Sequence, residues 1–212
     1  MTDINPLNLN SDEEILSFIH DYCDFGPNRL YLMIAMARPR ENESITHNNI
    51  PIFREIISHE EKIYSKYNKL KMLTDNFDED LIFRFYFSTN ARDTGKSFYL
   101  YQKKLLKMQR DIQNGHDGTR KKIKRLDQEW MSMLQKAGNK DDSYFIIDLD
   151  NTDESILKHI YKGLEEETDI IECIRTPNGY HLITEPFNPN AEILDEDYID
   201  IKRDDLFFLF LR

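Results

Sequence analysis

The sequence predicts an α+β protein in two parts, separated by a long helical insertion. Dense apolar runs recur with the two-residue period of strands, and amphipathic stripes at spacings of three and four alternate with them. Between the parts, Ser97 to Lys136 reads as helix rich in lysine and arginine. With 40% hydrophobic and 12% aromatic residues over 212 positions, the chain can build a real core, which excludes wholesale disorder.

Asp12 to Asp21 reads as a short helix with Ile15, Phe18 and Ile19 on its apolar side. Leu30 to Ala37, between Pro27 and Pro39, reads as a buried strand. Pro51 opens a helical stretch toward Leu70, because proline in a first turn removes no intrahelical hydrogen bond; Phe53, Ile56, Ile57 and Ile63 are its apolar positions. Leu81 to Ser88 is a second strand, with Ile82, Arg84, Tyr86 and Ser88 on one face and Phe83, Phe85 and Phe87 on the other. A polar turn, Asn90 to Gly95, ends it. Phe98, Tyr101, Leu105, Met108 and Ile112 then stripe a helix that Asn114-Gly115-His116-Asp117-Gly118 interrupts. Ile123, Leu126, Trp130 and Met133 stripe its partner until Ala137-Gly138-Asn139, and both stripes are expected in the core.

Tyr144 to Asp150 is a strand, and Thr152 to Glu166 a helix capped by Asn151 with Glu154 or by Thr152 with Ser155. Ile156, Leu157, Ile160 and Leu164 point inward. Ile170 to Arg175 and Tyr180 to Thr184 form a hairpin through Thr176-Pro177-Asn178-Gly179, where Gly179 permits a left-handed or tight backbone. Leu206 to Leu211 is a final strand. Residues 1–95 thus form an N-terminal α/β unit, 96–140 a basic helical insertion and 141–212 an acidic unit that packs with the first as one composite domain.

The net charge of −11 conceals a strong segregation. Lys96 to Arg125 holds ten basic residues against Asp111 and Asp117, whereas 141–200 holds 17 acids against Lys158, Lys162 and Arg175. A cationic surface beside an acidic site suits a metal-dependent enzyme acting on phosphates, and equally a solvated helix face. No apolar run approaches a membrane span and no secretory leader is visible, so no membrane association is expected. Cys23 and Cys173 form neither a disulfide framework nor a metal knuckle, which suits a reduced, cytoplasmic protein.

The sharpest local chemistry is Tyr144-Phe145-Ile146-Ile147-Asp148-Leu149-Asp150. In a strand Asp148 and Asp150 point to one face, about 6.6 Å apart along the backbone. Repulsion raises the pKa of one unless a cation compensates, and Mg²⁺ or Mn²⁺, which prefer carboxylate and phosphate oxygens, would do so. The same pair at a strand end also suits a helix cap. About 30 residues on, Arg175-Thr176-Pro177-Asn178-Gly179-Tyr180-His181-Leu182 leads into another strand. If that hairpin lies beside Asp148, His181 can contact a nucleotide phosphate and Arg175 can strengthen a cationic lip.

A strand ending in Asp148-Leu149-Asp150, a helix, a strand and then Thr-Pro-Asn-Gly-Tyr-His resembles the catalytic half of the archaeo-eukaryotic primase and primase-polymerase superfamily. The resemblance implies an RRM-like catalytic sheet packed on the N-terminal α/β unit. It also implies metal-dependent nucleotidyl transfer in primer or DNA synthesis, with Mg²⁺ or Mn²⁺ as cofactor and nucleoside triphosphate and a DNA or RNA template as partners. Asp148 and Asp150 match the metal-binding acids and His181 the phosphate contact. Asp200, within Ile199-Asp200-Ile201, fits the third acid, with Asp195, Asp204 and Asp205 as alternatives. Arg84-Phe85-Tyr86-Phe87-Ser88-Thr89-Asn90-Ala91-Arg92 resembles the superfamily's N-terminal strand and turn, bringing Arg38, Asn90 and Arg92 toward nucleotide or template. Lys103, Lys107, Arg120, Lys121 and Lys124 can hold nucleic acid with Tyr99 and Tyr101 stacking on it; equally, the tyrosines can serve the core and the insertion can dock a partner helix or neutralise the acidic surface. The motifs lie within residues 28–212 and no helicase or zinc module follows, which implies a helicase or accessory replication partner. A catalytically inactive nucleic-acid-binding relative and a metal-dependent nuclease or other phosphotransferase are the alternatives.

Overall fold

Aromatic side chains at alternate positions give the first sheet one strongly apolar face. β1 (Arg29–Met36), β2 (Ile52–Ile57), β3 (Arg84–Ser88) and β9 (Leu206–Leu211) pair antiparallel in the order β2-β1-β3-β9, and the two-residue β4 (Arg92–Asp93) pairs with the start of β1. Phe83, Phe85, Phe87 and Phe207 are fully buried on that face. They are covered by Ile15, Phe18 and Ile19 of α1 (Asp12–Tyr22) and by Ile63, Tyr67 and Leu70 of α2 (Ile63–Asp75). A reciprocal Ser11–Glu14 capping box starts α1. The computed structural model describes residues 4–189 and 196–212.

The segment after Pro51 corrects the sequence reading. Ile52–Ile57 is strand, paired with β1 from Tyr31↔Ile57 to Met36↔Ile52, and the helix begins only at Ile63. Phe53, Ile56 and Ile57 satisfy either period, but β-branched residues favour the extended form and β1 supplies an open edge. Pro51 stands just before the strand, where its missing N–H costs no ladder bond.

The second sheet runs β6 (Ile170–Thr176), β7 (Gly179–Thr184), β5 (Phe145–Leu149), β8 (Ile199–Lys202), also antiparallel throughout. One face packs Ile147, Leu149, Tyr180 and Leu182 on Leu157, Ile160 and Leu164 of α6 (Glu154–Glu165). The cap of α6 is Asp153, whose carboxylate accepts the Ser155 N–H at 2.8 Å; Asn151 instead accepts the Asp153 N–H at 2.9 Å. The other face sends Ile146, Ile174 and Ile183 into the core that holds Phe207 and Leu209. Through the short link 203–205 the chain crosses from β8 to β9, from one sheet to the other. The architecture is thus mixed α+β, two antiparallel sheets with several helices.

The insertion folds as α3 (Thr94–Gln113), α4 (Asp117–Ile123) and α5 (Leu126–Leu134), and the turn after α3 uses Gly115 at φ +82°. Its stripe is only partly core, contrary to the periodic reading. Met108 and Met133 are buried, and Leu134 packs on Leu30 and Leu32 with Trp130 beside them, whereas Phe98, Ile123 and Leu126 stay exposed. A long helix and two short ones laid on a sheet have no second layer to cover both stripes. Both cysteines are free, and burial pushes their thiols up, that of Cys173 to about 12. Among the described residues no helix is long and apolar enough to cross a membrane.

Candidate functional site

The register of the second sheet decides which side chains meet. Asp148 on β5 stands opposite His181 on β7 and opposite Asp200 on β8. These three therefore form one row across three strands, on the face that faces away from α6. Lys202 lies two residues beyond Asp200 on the same side. Its Nζ is 3.2 Å from Asp148 Oδ2, 3.5 Å from Asp200 Oδ2 and 3.1 Å from Asp205 Oδ2. One ammonium gathers three carboxylates.

His181 joins the two sheets. Its Nδ1 accepts the Phe208 N–H from β9 at 3.0 Å, so the ring hydrogen sits on Nε2, 3.3 Å from Asp148 Oδ1. Burial opposes ionisation of Asp148, but the His181 hydrogen bond and the nearby Lys202 charge prevail and lower its pKa to about 2. Burial likewise disfavours the charge on Lys202, and Asp205 and Asp148 overcome it, raising the ammonium's pKa. The sign of the linkage follows. A depressed carboxylate stabilises the fold fully above its unfolded value near ~3.9, and that contribution is lost as the pH falls through about 2. Urea unfolding at stepped pH should therefore show wild type converging on Asp148→Asn between about pH 4 and 2, with a constant gap from about pH 5 to 8. A gap that closes above pH 5 would assign the effect to another group.

A cavity of about 180 Å³ opens beside this row. The second sheet and its link contribute Asp148, His181, Lys202 and Asp205, and Asp150 lies just past β5. The first sheet contributes Arg84 and Tyr86, with Arg38 and Arg40 from the segment after β1. The Arg38 guanidinium lies 5.6 Å above the Tyr86 ring, and Arg84 pairs with Glu41. Arg84 Nε and the Tyr86 hydroxyl are buried without hydrogen-bond partners among the described residues. The cavity is bipolar: carboxylates on one wall, guanidinium groups on the other.

Several sequence-derived candidates lie elsewhere. Asn90 and Arg92 are buried against Asp204, at 3.1 and 2.6 Å, and Asn90 also exchanges hydrogen bonds with the Tyr144 backbone. They hold the junction of the two sheets and are closed to a nucleotide. That pairing also removes Asp204 as a third acid, while Asp195 lies outside the described residues. Arg175 pairs with Tyr180 in register, on the α6 side of the sheet, and does not line the Asp148 cavity; Thr176 and Asn178 of its turn do. In the insertion, Tyr101 donates to the Leu126 carbonyl at 2.9 Å and packs on Trp130, so it is not free to stack. Tyr99 is exposed, with Lys103 Nζ 4.3 Å from its ring. Lys103 and Lys107 line a separate cavity, Arg120 pairs with Asp117 at 3.4 Å, and Lys121 and Lys124 are exposed.

Sequence reasoning missed Lys202, Arg40 and Arg84 as parts of this cavity. Each had a signal: Asp200 and Lys202 share one strand face, Arg38-Pro39-Arg40 follows a strand end, and Arg84 shares its face with Tyr86. Among the described residues no three histidine, cysteine, aspartate or glutamate side chains form a ready metal cluster. The donor chemistry of Asp148, Asp200 and Asp205 nevertheless fits a hard cation, since these oxygens already surround one positive charge. Comparison with protein-family models, curated proteins and solved structures returns no match, so the reading of this cavity rests on its own geometry.

Proposed function

We propose that the chain is a small primase-like nucleotidyltransferase whose second sheet is the RRM-like catalytic sheet of that superfamily. The observation that carries the reading is that Asp148, Asp150, Asp205 and His181 face Arg38, Arg40 and Arg84 across one cavity, with Asp200 in register beside Asp148 but outside the lining. Asp148 and Asp150, with Asp200 or Asp205, would hold Mg²⁺ or Mn²⁺ once Lys202 withdraws. When bound, such an ion neutralises triphosphate charge and lowers the pKa of a primer 3′-hydroxyl. Arg38 and Arg40 bind phosphate oxygens on the opposite wall. The Nε2–H of His181, freed from Asp148, donates to a phosphate oxygen, and the Phe208 N–H keeps its ring oriented. Lys202, displaced from the acids, remains beside the phosphates as a counter-charge.

The test is incorporation of labelled nucleotides on primed and unprimed DNA and RNA templates with Mg²⁺ or Mn²⁺. Incorporation that disappears with chelator is expected. A second reading, an inactive nucleic-acid-binding relative, is favoured by one specific observation: Lys202 occupies the cation's place. Absence of incorporation under every condition, with DNA binding intact, would decide for it.

A further inference from the structure

The helical insertion contains a separate cavity whose charged lining is almost wholly cationic. It measures about 460 Å³ and lies between α3, α4 and α5. Lys103, Lys104, Lys107, Lys122 and Lys136 line it, and Asp111 is the one carboxylate on its wall among the described residues. Lys104 is neutralised by Glu129, and Lys103 lies over the Tyr99 ring. Lys107, Lys122 and Lys136 make no ion pair among the described residues. Lys103 and Lys107 are one helical turn apart, a like-charge spacing that weakens a helix unless an anion relieves it. Buried Met108 and Met133 give the cavity a floor, so the ammonium groups are presented from a shaped recess.

We infer that this recess seats the phosphates of a single-stranded nucleic acid, held by Lys107, Lys122 and Lys136. The inference deepens the proposed template-directed reaction and rests on it for the kind of partner. Two neighbouring features match a strand in particular. Arg110 continues the Lys103–Lys107 row along α3, about 10 Å from Lys103 at ~1.5 Å per residue, so the charge forms a track longer than a single phosphate group needs. Exposed Tyr99 at the other end offers a base a stacking face, already polarised by Lys103.

The experiment measures anisotropy of a fluorescein-labelled, mixed-sequence single-stranded DNA at several salt concentrations, in chelator. Metal is absent, so failure of the catalytic reading leaves this readout intact. The K107Q/K122Q/K136Q variant is expected to weaken binding at least ~10-fold and to flatten the slope of log K against log salt by about 2, three contacts at ~0.7 each. The control K62Q/K158Q/K162Q removes the same charge from other elements and should change affinity less than about threefold, a margin set by long-range screening. Equal losses in the lysine control, or an unchanged slope in the test variant, would overturn the site. So would tight binding of tripolyphosphate that depends on these lysines with no binding of DNA.

Discussion

The D148A/D150A variant is expected to lose metal-dependent nucleotide incorporation by at least about 10²-fold while remaining folded. A bound divalent ion contributes several kcal/mol of charge stabilisation, and each ~1.36 kcal/mol is a factor of ten in rate. Asp148 is the natural anchor for such an ion because it is the one acid of the group that is largely sheltered. Its side chain is 27% exposed, against 69% for Asp200 and 41% for Asp205. Removing it leaves His181 bonded to Phe208 N and Lys202 paired with Asp200 and Asp205, so the fold should lose about 1–3 kcal/mol. Asp148→Asn separates the two effects. It keeps the shape and an oxygen for the His181 N–H, and should be as inactive as the double variant with a smaller loss of stability. Incorporation unchanged in both would remove Asp148 and Asp150 from the reaction. Lys202→Met tests the displacement itself. With the resident ammonium gone, calorimetric Mn²⁺ affinity should rise at least ~10-fold, since the ion no longer competes with a bonded positive charge. An unchanged affinity would show that Lys202 and the metal do not share a position.

What was legible in the sequence was local. The Tyr144–Asp150 strand, the hairpin through Thr176-Pro177-Asn178-Gly179 and the Asp148/Asp150 pair are encoded within windows of fifteen residues or fewer, and the structure keeps all of them. Pro51 to Ile57 was ambiguous because its apolar positions fit both periods, and a partner strand some twenty positions upstream settled it. The cavity's opposite wall was illegible for the same reason. Arg92 has the same chemistry as Arg38, yet it is buried against an aspartate 112 positions away whereas Arg38 faces the cavity. Only the pairing of β3 with β9 and of β5 with β8 distinguishes the two arginines, and neither pairing leaves a mark in local composition.

Gly179→Ala is expected to destabilise the fold by about 3 kcal/mol or more, because the obstacle is backbone. A Cβ at 179 would overlap the Leu149 carbonyl oxygen and lie 2.7 Å from the Asn151 nitrogen, on either side of Asp150 at the end of β5. Handedness is not the reason, for Gly115 is the only described residue with positive φ. The requirement is close approach. Relief means moving β7 away from β5, which breaks the ladder from Phe145↔Thr184 to Leu149↔Tyr180 and parts His181 from Asp148. For a chain of this size, 3 kcal/mol lowers the melting temperature by about 6–12 °C. Gly118→Ala is the contrast: nothing lies within 4 Å of its added methyl in α4, and it should gain about 0.5–1 kcal/mol. Thermal unfolding by circular dichroism compares the pair directly. If Gly179→Ala melted within about 2 °C of wild type, less than ~1 kcal/mol on that scale, β7 would not lie as close to β5 as the Asp148–His181 contact requires.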